Sequence, residues 1–333
     1  MLDIIVPHYK EAWEIGEKLF RMIALQRGIN FRDICVTIVN DGGHRFPEGT
    51  LAGFPYEIRQ IDIPHSGVSA ARNAGIECAR YGWLMFCDFD DTFANVYALR
   101  DVMTILPADN YDMLWSRLIV EDFTDGKNQI YFSPNAQRFV FTHGKVYRKA
   151  FLDENDIRFD ETMDFQEDSL FNATIIAKTS HKRIGEIKTV SPMFVWIRRP
   201  SSVTNSGRED EALLAHFIRN LKVTEENRER GYDHYCGMVT RTAWDAYYMI
   251  MSTRAGPETK RRIMEVFTPW IAERIGEYGK VEDGMMDKIR EISRGELYDR
   301  PIPDGPDDVL RWLYNILKRG GLNGNINNEP GTD

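Results

Sequence analysis

Residues 83–91 read Trp-Leu-Met-Phe-Cys-Asp-Phe-Asp-Asp, an apolar run that ends abruptly on acids. Five apolar residues in a row, with no polar alternation, predict a strand buried on both faces. Such a strand needs cover on both sides, and the segment before it offers one layer. Gly67-Val68-Ser69-Ala70-Ala71-Arg72-Asn73-Ala74-Gly75 combines a free turn at Gly67 with small residues that let a helix lie close to a sheet. Alternation along an extended chain would send Asp88 and Asp90 to one side, with Asp91 opposite or beyond the bend. Like charges that close call for a cation, and a divalent ion carrying a phosphate is the simplest one. A solvated acidic loop is the bland alternative, and the Gly-x-Ser-x-x-Arg-Asn-x-Gly segment ahead of it tips the balance.

The flanking pattern alternates strand and helix. Residues 2–6, 34–39, 56–61 and 83–87 read as strands, and 11–26 and 68–80 as helices. In the first helix, Ala12, Ile15, Leu19, Met22 and Ile23 form the expected apolar stripe. This order predicts an α/β, Rossmann-like, mostly parallel central sheet with helices on both faces. Ligands of such sheets bind at the carboxyl ends of the strands. Here those ends are Pro7-His8-Tyr9, Asn40-Asp41-Gly42 and the acids at 88–91.

The second half changes character. Residues 96–105, 145–152 and 169–178 read as helices, and 118–120 with 129–132 as a hairpin around Thr124-Asp125-Gly126-Lys127. Two strands follow within 183–198. From 209 the pattern is helical, with Trp244, Tyr247, Tyr248, Phe267 and Trp270 read as core, and 320–333 reads as a disordered tail. With 333 residues and 43% hydrophobic content the chain can bury a catalytic domain and a smaller helical region. A formal charge of -9 argues against a duplex nucleic-acid partner. Cys35, Cys78, Cys87 and Cys236 are scattered, as expected of reduced thiols. No leader pattern and no run of membrane-spanning length is present, which predicts a soluble cytoplasmic protein. Peripheral membrane contact and self-association through the C-terminal helices stay open.

The motifs together resemble family 2 glycosyltransferases of the GT-A fold, in particular bacterial polysaccharide-building members. The resemblance rests on Ile4-Ile5-Val6-Pro7-His8-Tyr9-Lys10-Glu11, Val39-Asn40-Asp41-Gly42-Gly43, the 67–75 segment and Phe86-Cys87-Asp88-Phe89-Asp90-Asp91. Further on it rests on His143-Gly144-Lys145-Val146-Tyr147-Arg148-Lys149, Ile157-Arg158-Phe159-Asp160, Glu167-Asp168-Ser169-Leu170-Phe171-Asn172 and Trp196 to Asn205. It covers residues 2–205 and implies a GT-A domain at 1–205, with a nucleotide-sugar half at 1–95 and an acceptor half at 96–205. A helical region at 206–319 and the tail at 320–333 lie beyond it.

The resemblance implies inverting transfer from a nucleotide-diphosphate sugar, UDP-linked first of all, with manganese or magnesium as cofactor. The acceptor it implies is a glycan or lipid-linked sugar. Carried over, Pro7, Tyr9 and Glu11 belong to the nucleotide site, Asp41 to the base, Arg72 to the base or phosphates, Asp88 to the ribose and metal, and Asp90 to the metal. A metal there offsets charge on the leaving diphosphate. Inversion in one displacement needs a carboxylate to take the acceptor's proton, which falls to Asp168 with Glu167 orienting. Acids at a helix start are also ordinary caps. Rival readings are transfer to a protein or modified nucleic acid, a sugar nucleotidyltransferase, and a non-catalytic nucleotide-sugar-binding module. The chain departs from the usual pattern at Asn40, Gly43, Lys10 and Asn205. His65 and His143 are candidate active-site histidines, and Arg198 and Arg199 candidate covers for the diphosphate.

Overall fold

A computed structural model of the chain describes residues 1–108, 110–123, 128–133, 140–188, 192–198, 207–230 and 232–278, with single positions between 309 and 316. The expected turn at 124–127, Arg199 and Asn205, and the tail at 320–333 lie outside the described residues. The chain divides into two compact units, Met1–Arg208 and Glu209–Asp333.

The first unit opens with β1 (Leu2–His8), α1 (Trp13–Ala24), β2 (Ile34–Asp41), α2 (Glu48–Leu51), β3 (Glu57–Ile63), α3 (Val68–Cys78) and β4 (Trp83–Phe86). Next come β5 (Thr92–Phe93), α4 (Ala98–Ile105), β6 (Met113–Trp115), β7 (Leu118–Asp122) and β8 (Gln129–Phe132). It ends with β9 (Lys145–Arg148), α5 (Lys149–Glu154), α6 (Glu167–Lys178), β10 (Ile184–Glu186) and β11 (Phe194–Arg198). Seven strands form one sheet in the order β10-β6-β9-β4-β1-β2-β3, and a smaller sheet runs β5-β11-β7-β8. In the large sheet β9 alone is antiparallel to its neighbours, β4 and β6. This is the mixed α/β architecture that the alternating pattern predicts.

Alternation along the strands explains the two layers. Leu2, Ile4 and Val6 pack with Leu19, Phe20 and Ile23 of α1 and Leu99 and Val102 of α4. Ile5, Leu84 and Phe86 point the other way, into a core with Ala71 and Ile76 of α3 and Phe171 and Ile175 of α6. Helix α3 comes close because Gly75 lacks a side chain: a Cβ there would lie 2.3 Å from Cγ2 of Ile5.

Two expectations need correction. The buried stripe of α1 is Gly16, Leu19, Phe20 and Ile23, whereas Ile15 is exposed. Gly16 turns inward because the ring of Phe89 fills the space its side chain would take. Residues 145–148 form a strand and not the start of a helix. Val146 and Tyr147 fill the gap between β4 and β6, where β-branched and aromatic residues pack best, and α5 begins only at Lys149.

The second unit contains α7 (Glu209–Glu226), α8 (Tyr232–Met251) and α9 (Pro257–Tyr278). Leu214, Phe217 and Leu221, then Tyr235, Val239 and Ala243, then Ile263, Phe267 and Ile271 form its core at helical spacing. Trp244, Tyr247 and Phe267 are buried there, as core aromatics should be. Among the described residues no helix is long and apolar enough to cross a membrane.

Gly75→Ala tests the close approach of α3. Overpacking against the fully buried Ile5 should cost about 1–3 kcal/mol. That outweighs the roughly 1 kcal/mol gained in helix propensity, so the urea midpoint should fall. An unchanged midpoint would mean that α3 can lift off β1 freely.

Candidate active site

The acids after β4 do not continue the strand. The N–H of Asp91 donates to the carbonyl of Asp88 at 3.1 Å, closing a turn. Of the two expected places for Asp91, opposite Asp88 or beyond the bend, the second holds: the turn folds Asp91 back toward Asp88. Phe89 is its anchor, only 3% exposed and stacked on Phe46 at 5.6 Å. Asp91 is buried, and its Oδ1 accepts the N–H of Ile197 at 2.9 Å, tying the turn to β11. Asp90 is half-buried in the same turn.

His143 closes this cluster. Its Nε2 lies 3.2 Å from Oδ2 of Asp88 and 3.0 Å from Oδ2 of Asp91. Burial disfavours a charged imidazole, but the hydrogen bonds and charges of Asp88 and Asp91 override it and push His143 up to about 10. At neutral pH His143 is thus a cation between two acids. Burial also pushes Asp91 up, to about 6, against the pull of His143. Ligand atoms of Asp88, Asp91 and His143 lie within 4.8 Å of one another, a spacing that fits a metal ion. His143 would have to give up its proton to serve as a ligand, whereas carboxylates suit magnesium and manganese directly.

Arg72 joins the acidic turn to the other candidate carboxylates. It projects from the buried stripe of α3 and is 3% exposed. Its Nη2 donates to Oδ1 of Asp88 at 3.1 Å. Its Nη1 donates to Oδ1 of Asp168 at 2.7 Å and to Oε1 of Glu167 at 3.2 Å. Burial opposes the guanidinium charge, yet Asp168, Asp88 and Glu167 together hold it above the usual arginine range. Burial raises Asp88 less than Arg72 and His143 lower it, so it stays well below the usual carboxylate range. Glu167 goes the other way: burial and the charge of Asp168 push it up to about 7, against Arg72. Both acids open α6, directly after Gln166, which adopts a left-handed backbone (φ 66) unusual for a non-glycine residue.

At the ends of β1 and β2 the residues expected to face the nucleotide come together. Pro7 is half-buried, and Tyr9 stacks on His65 at 4.2 Å and 14°. Glu11 folds the chain back by accepting the N–H groups of Tyr9 and Lys10. Asp41 is buried and accepts the N–H groups of Ser66 and Gly67 and the Nδ1–H of His65. Three of about four acceptor positions of that carboxylate are thus committed to the turn before α3. The two departures in this motif have physical causes. Asn40 accepts from His8 at 3.0 Å and donates to Asp62 at 2.8 Å, which a carboxylate at position 40 could not do. At Gly43 a Cβ would lie 1.5 Å from the carbonyl oxygen of Tyr9.

Arg198 is paired with Asp122 at 2.6 Å. Sequence reasoning named His143 but missed its pairing with Asp91, and missed Thr142, whose N–H and hydroxyl both donate to Oδ2 of Asp168 at 3.1 Å. Gly144, in a left-handed conformation (φ 68), was the signal that this stretch turns sharply.

Comparison with known proteins bears on the fold that carries these residues. The family model described as Glycosyl transferase family 2 matches residues 3–165. Over residues 3–165 the chain therefore matches that family. Among curated relatives, the Bacillus subtilis "Uncharacterized glycosyltransferase EpsJ" is 23% identical over 61% of this chain and 63% of its own length. The Staphylococcus aureus poly(ribitol-phosphate) beta-N-acetylglucosaminyltransferase TarS is 25% identical over 52% of this chain and 32% of its own. The chain thus spans less than two thirds of either relative. The fold matches crystal structures of S. aureus TarS 1-349. The complex with UDP has a TM-score of 0.58 at 17% identity, covering 91% of this chain and 94% of that one. The complex with UDP-GlcNAc has a TM-score of 0.62 at 16% identity, covering 90% and 93%. The family 2 domain thus carries the GT-A fold.

Arg72→Met should leave Asp88, Glu167 and Asp168 without their shared cation. Breaking a buried pair from one side should cost about 3–5 kcal/mol. The loss should be largest above neutral pH and shrink as pH falls, because protonation removes the repulsion. Urea unfolding at two pH values checks both. Gly43→Ser should displace the Tyr9 turn and lower the urea midpoint.

Proposed function

We propose that the chain moves a sugar from a UDP-sugar to a hydroxyl of a glycan or lipid-linked acceptor, with inversion, Asp168 being the general base. The observation that carries this is the Arg72 clamp, which holds Asp88 of the acidic turn and the Glu167-Asp168 pair on one guanidinium. In this reading the acceptor oxygen bonds to the anomeric carbon as Asp168 takes its proton. The bond from that carbon to the diphosphate oxygen breaks in the same step. The TarS complexes with UDP and UDP-GlcNAc support UDP as the nucleotide.

Pro7, Tyr9 and Asp41 would face the base, Glu11 would shape that pocket, and Asp88 would face the ribose. The chain's acids already occupy Arg72 and His143, so an incoming diphosphate needs a further cation. Asp88 and Asp90 would hold it, with Asp91 beside them. Manganese or magnesium there would screen the charge of the leaving diphosphate. Residues 96–205 would hold the acceptor.

A second assignment, with Glu167 as the base, draws on its rise to about 7, where a general base works best. Two isosteres separate the readings. Asp168→Asn should slow transfer by roughly a hundred- to ten-thousandfold, with UDP affinity kept. Glu167→Gln should be milder. Activity falls as pH drops because the base must be unprotonated. The reverse pattern exchanges the roles. For the donor site, UDP-GlcNAc at a hundred times its dissociation constant should stabilise the parent by about 2.7 kcal/mol. Its manganese-dependent part should vanish in Asp90→Ala; unchanged manganese dependence would remove Asp90 from the metal site.

A further inference from the structure

Lys145 is an ammonium-bearing residue that is 1% exposed, in the middle of the large sheet. Burying a charge is costly unless the charge is used, and a methionine would fill the same space. Burial lowers Lys145 to about 8, and the charge of Asp168 opposes that drop. Lys145 and Tyr147 stand two residues apart on β9, so both point toward the α6 face. From there Lys145 Nζ donates to the carbonyl of Phe141. Asn172, on α6 and fully buried, donates to the same carbonyl at 3.1 Å and to the carbonyl of Asp168 at 2.9 Å. Tyr147 fixes Asn172 by donating to its Oδ1 at 2.9 Å. The next residue, Thr142, places its N–H and hydroxyl on Oδ2 of Asp168.

We infer that Lys145 is a positioning residue for Asp168, acting through the Phe141–Thr142 peptide with Asn172 and Tyr147 as its supports. The inference rests on Asp168 being the base. With the Phe141 carbonyl held from two sides, the following N–H and hydroxyl cannot swing away. Oδ1 of Asp168 is held by Arg72 at the same time, so both oxygens of the carboxylate have fixed directions. The charged groups around Asp168 are Arg72 from α3, Glu167 from its own helix and Lys145 from β9.

The test compares Lys145→Met, Thr142→Val and Asp168→Asn, read by UDP release from UDP-GlcNAc with manganese and water as acceptor. Lys145→Met should lower kcat by roughly ten- to hundredfold, the worth of small misplacements at a reacting centre. The KM for UDP-GlcNAc and the calorimetric affinity for UDP should hold. Thr142→Val, which keeps shape and N–H, should give a smaller fall in kcat at the same KM. Lys145→Met on top of Asp168→Asn should add nothing. If Asp168→Asn releases UDP at the parent rate, the base assignment falls and takes this role with it. If Asp168→Asn is slow while Lys145→Met keeps the parent rate, the positioning role alone is overturned. The amide resonance of Thr142 reads the contact for any donor. It should shift in Lys145→Met as it does in Asp168→Asn, and an unmoved resonance overturns the inference.

Discussion

A guanidinium with 3% exposure cannot be left without partners, and Arg72 therefore dictates what surrounds it. The clamp joins three places in the sequence: α3, which carries Arg72, the turn after β4, and the start of α6. None of these segments can shift without leaving a charge stranded. The small residues Ala70, Ala71 and Gly75 bring α3 close enough to the sheet for Arg72 to reach both sides. Asn73 adds a second tie, exchanging hydrogen bonds with the backbone of Phe159, whose ring stacks on Phe171 of α6 at 3.9 Å. The stacking therefore helps to set where Glu167 and Asp168 begin their helix.

Charge balance follows from the same arrangement. Asp88, Asp90, Asp91, Glu167 and Asp168 gather around Arg72, His143 and Lys145. The cluster moderates its excess of acid in two ways. Glu167 and Asp91 rise toward neutrality, and His143 keeps its proton. A diphosphate would bring further negative charge to a place whose cations already have partners, which is the physical case for a divalent ion beside Asp88 and Asp90.

The sheet was legible through β1, β2 and β4, which are buried along almost their whole length, and helix α3 because its small residues are concentrated in one stretch. The candidate carboxylates were legible through their motifs. The turn at 88–91 was not, because Phe89 between acids reads as strand alternation. Its ring is instead the anchor, held by Phe46 and by the space that Gly16 leaves. Strand β9 was hidden for a different reason: Lys145–Arg148 runs straight into a true helix, and only the gap between β4 and β6 makes it a strand. The pairing of His143 with Asp91 joins residues 52 positions apart. No local pattern encodes such a contact.

The departures at Asn40 and Gly43 show how far a family pattern can be read without coordinates. Taken singly, each looks like a weakened nucleotide site. In the structure both answer to the end of β1. His8 donates to Asn40, whose amide donates in turn to Asp62, and Gly43 lies under the carbonyl of Tyr9. An acid at 40 would face Asp62 across 2.8 Å, and a serine at 43 would collide with the backbone. Asp41 is untouched by either change and keeps an acceptor position free of the turn. The two substitutions therefore belong together with His8 and Tyr9 as one packing solution, and they bear on the shape of this strand end more than on its charge.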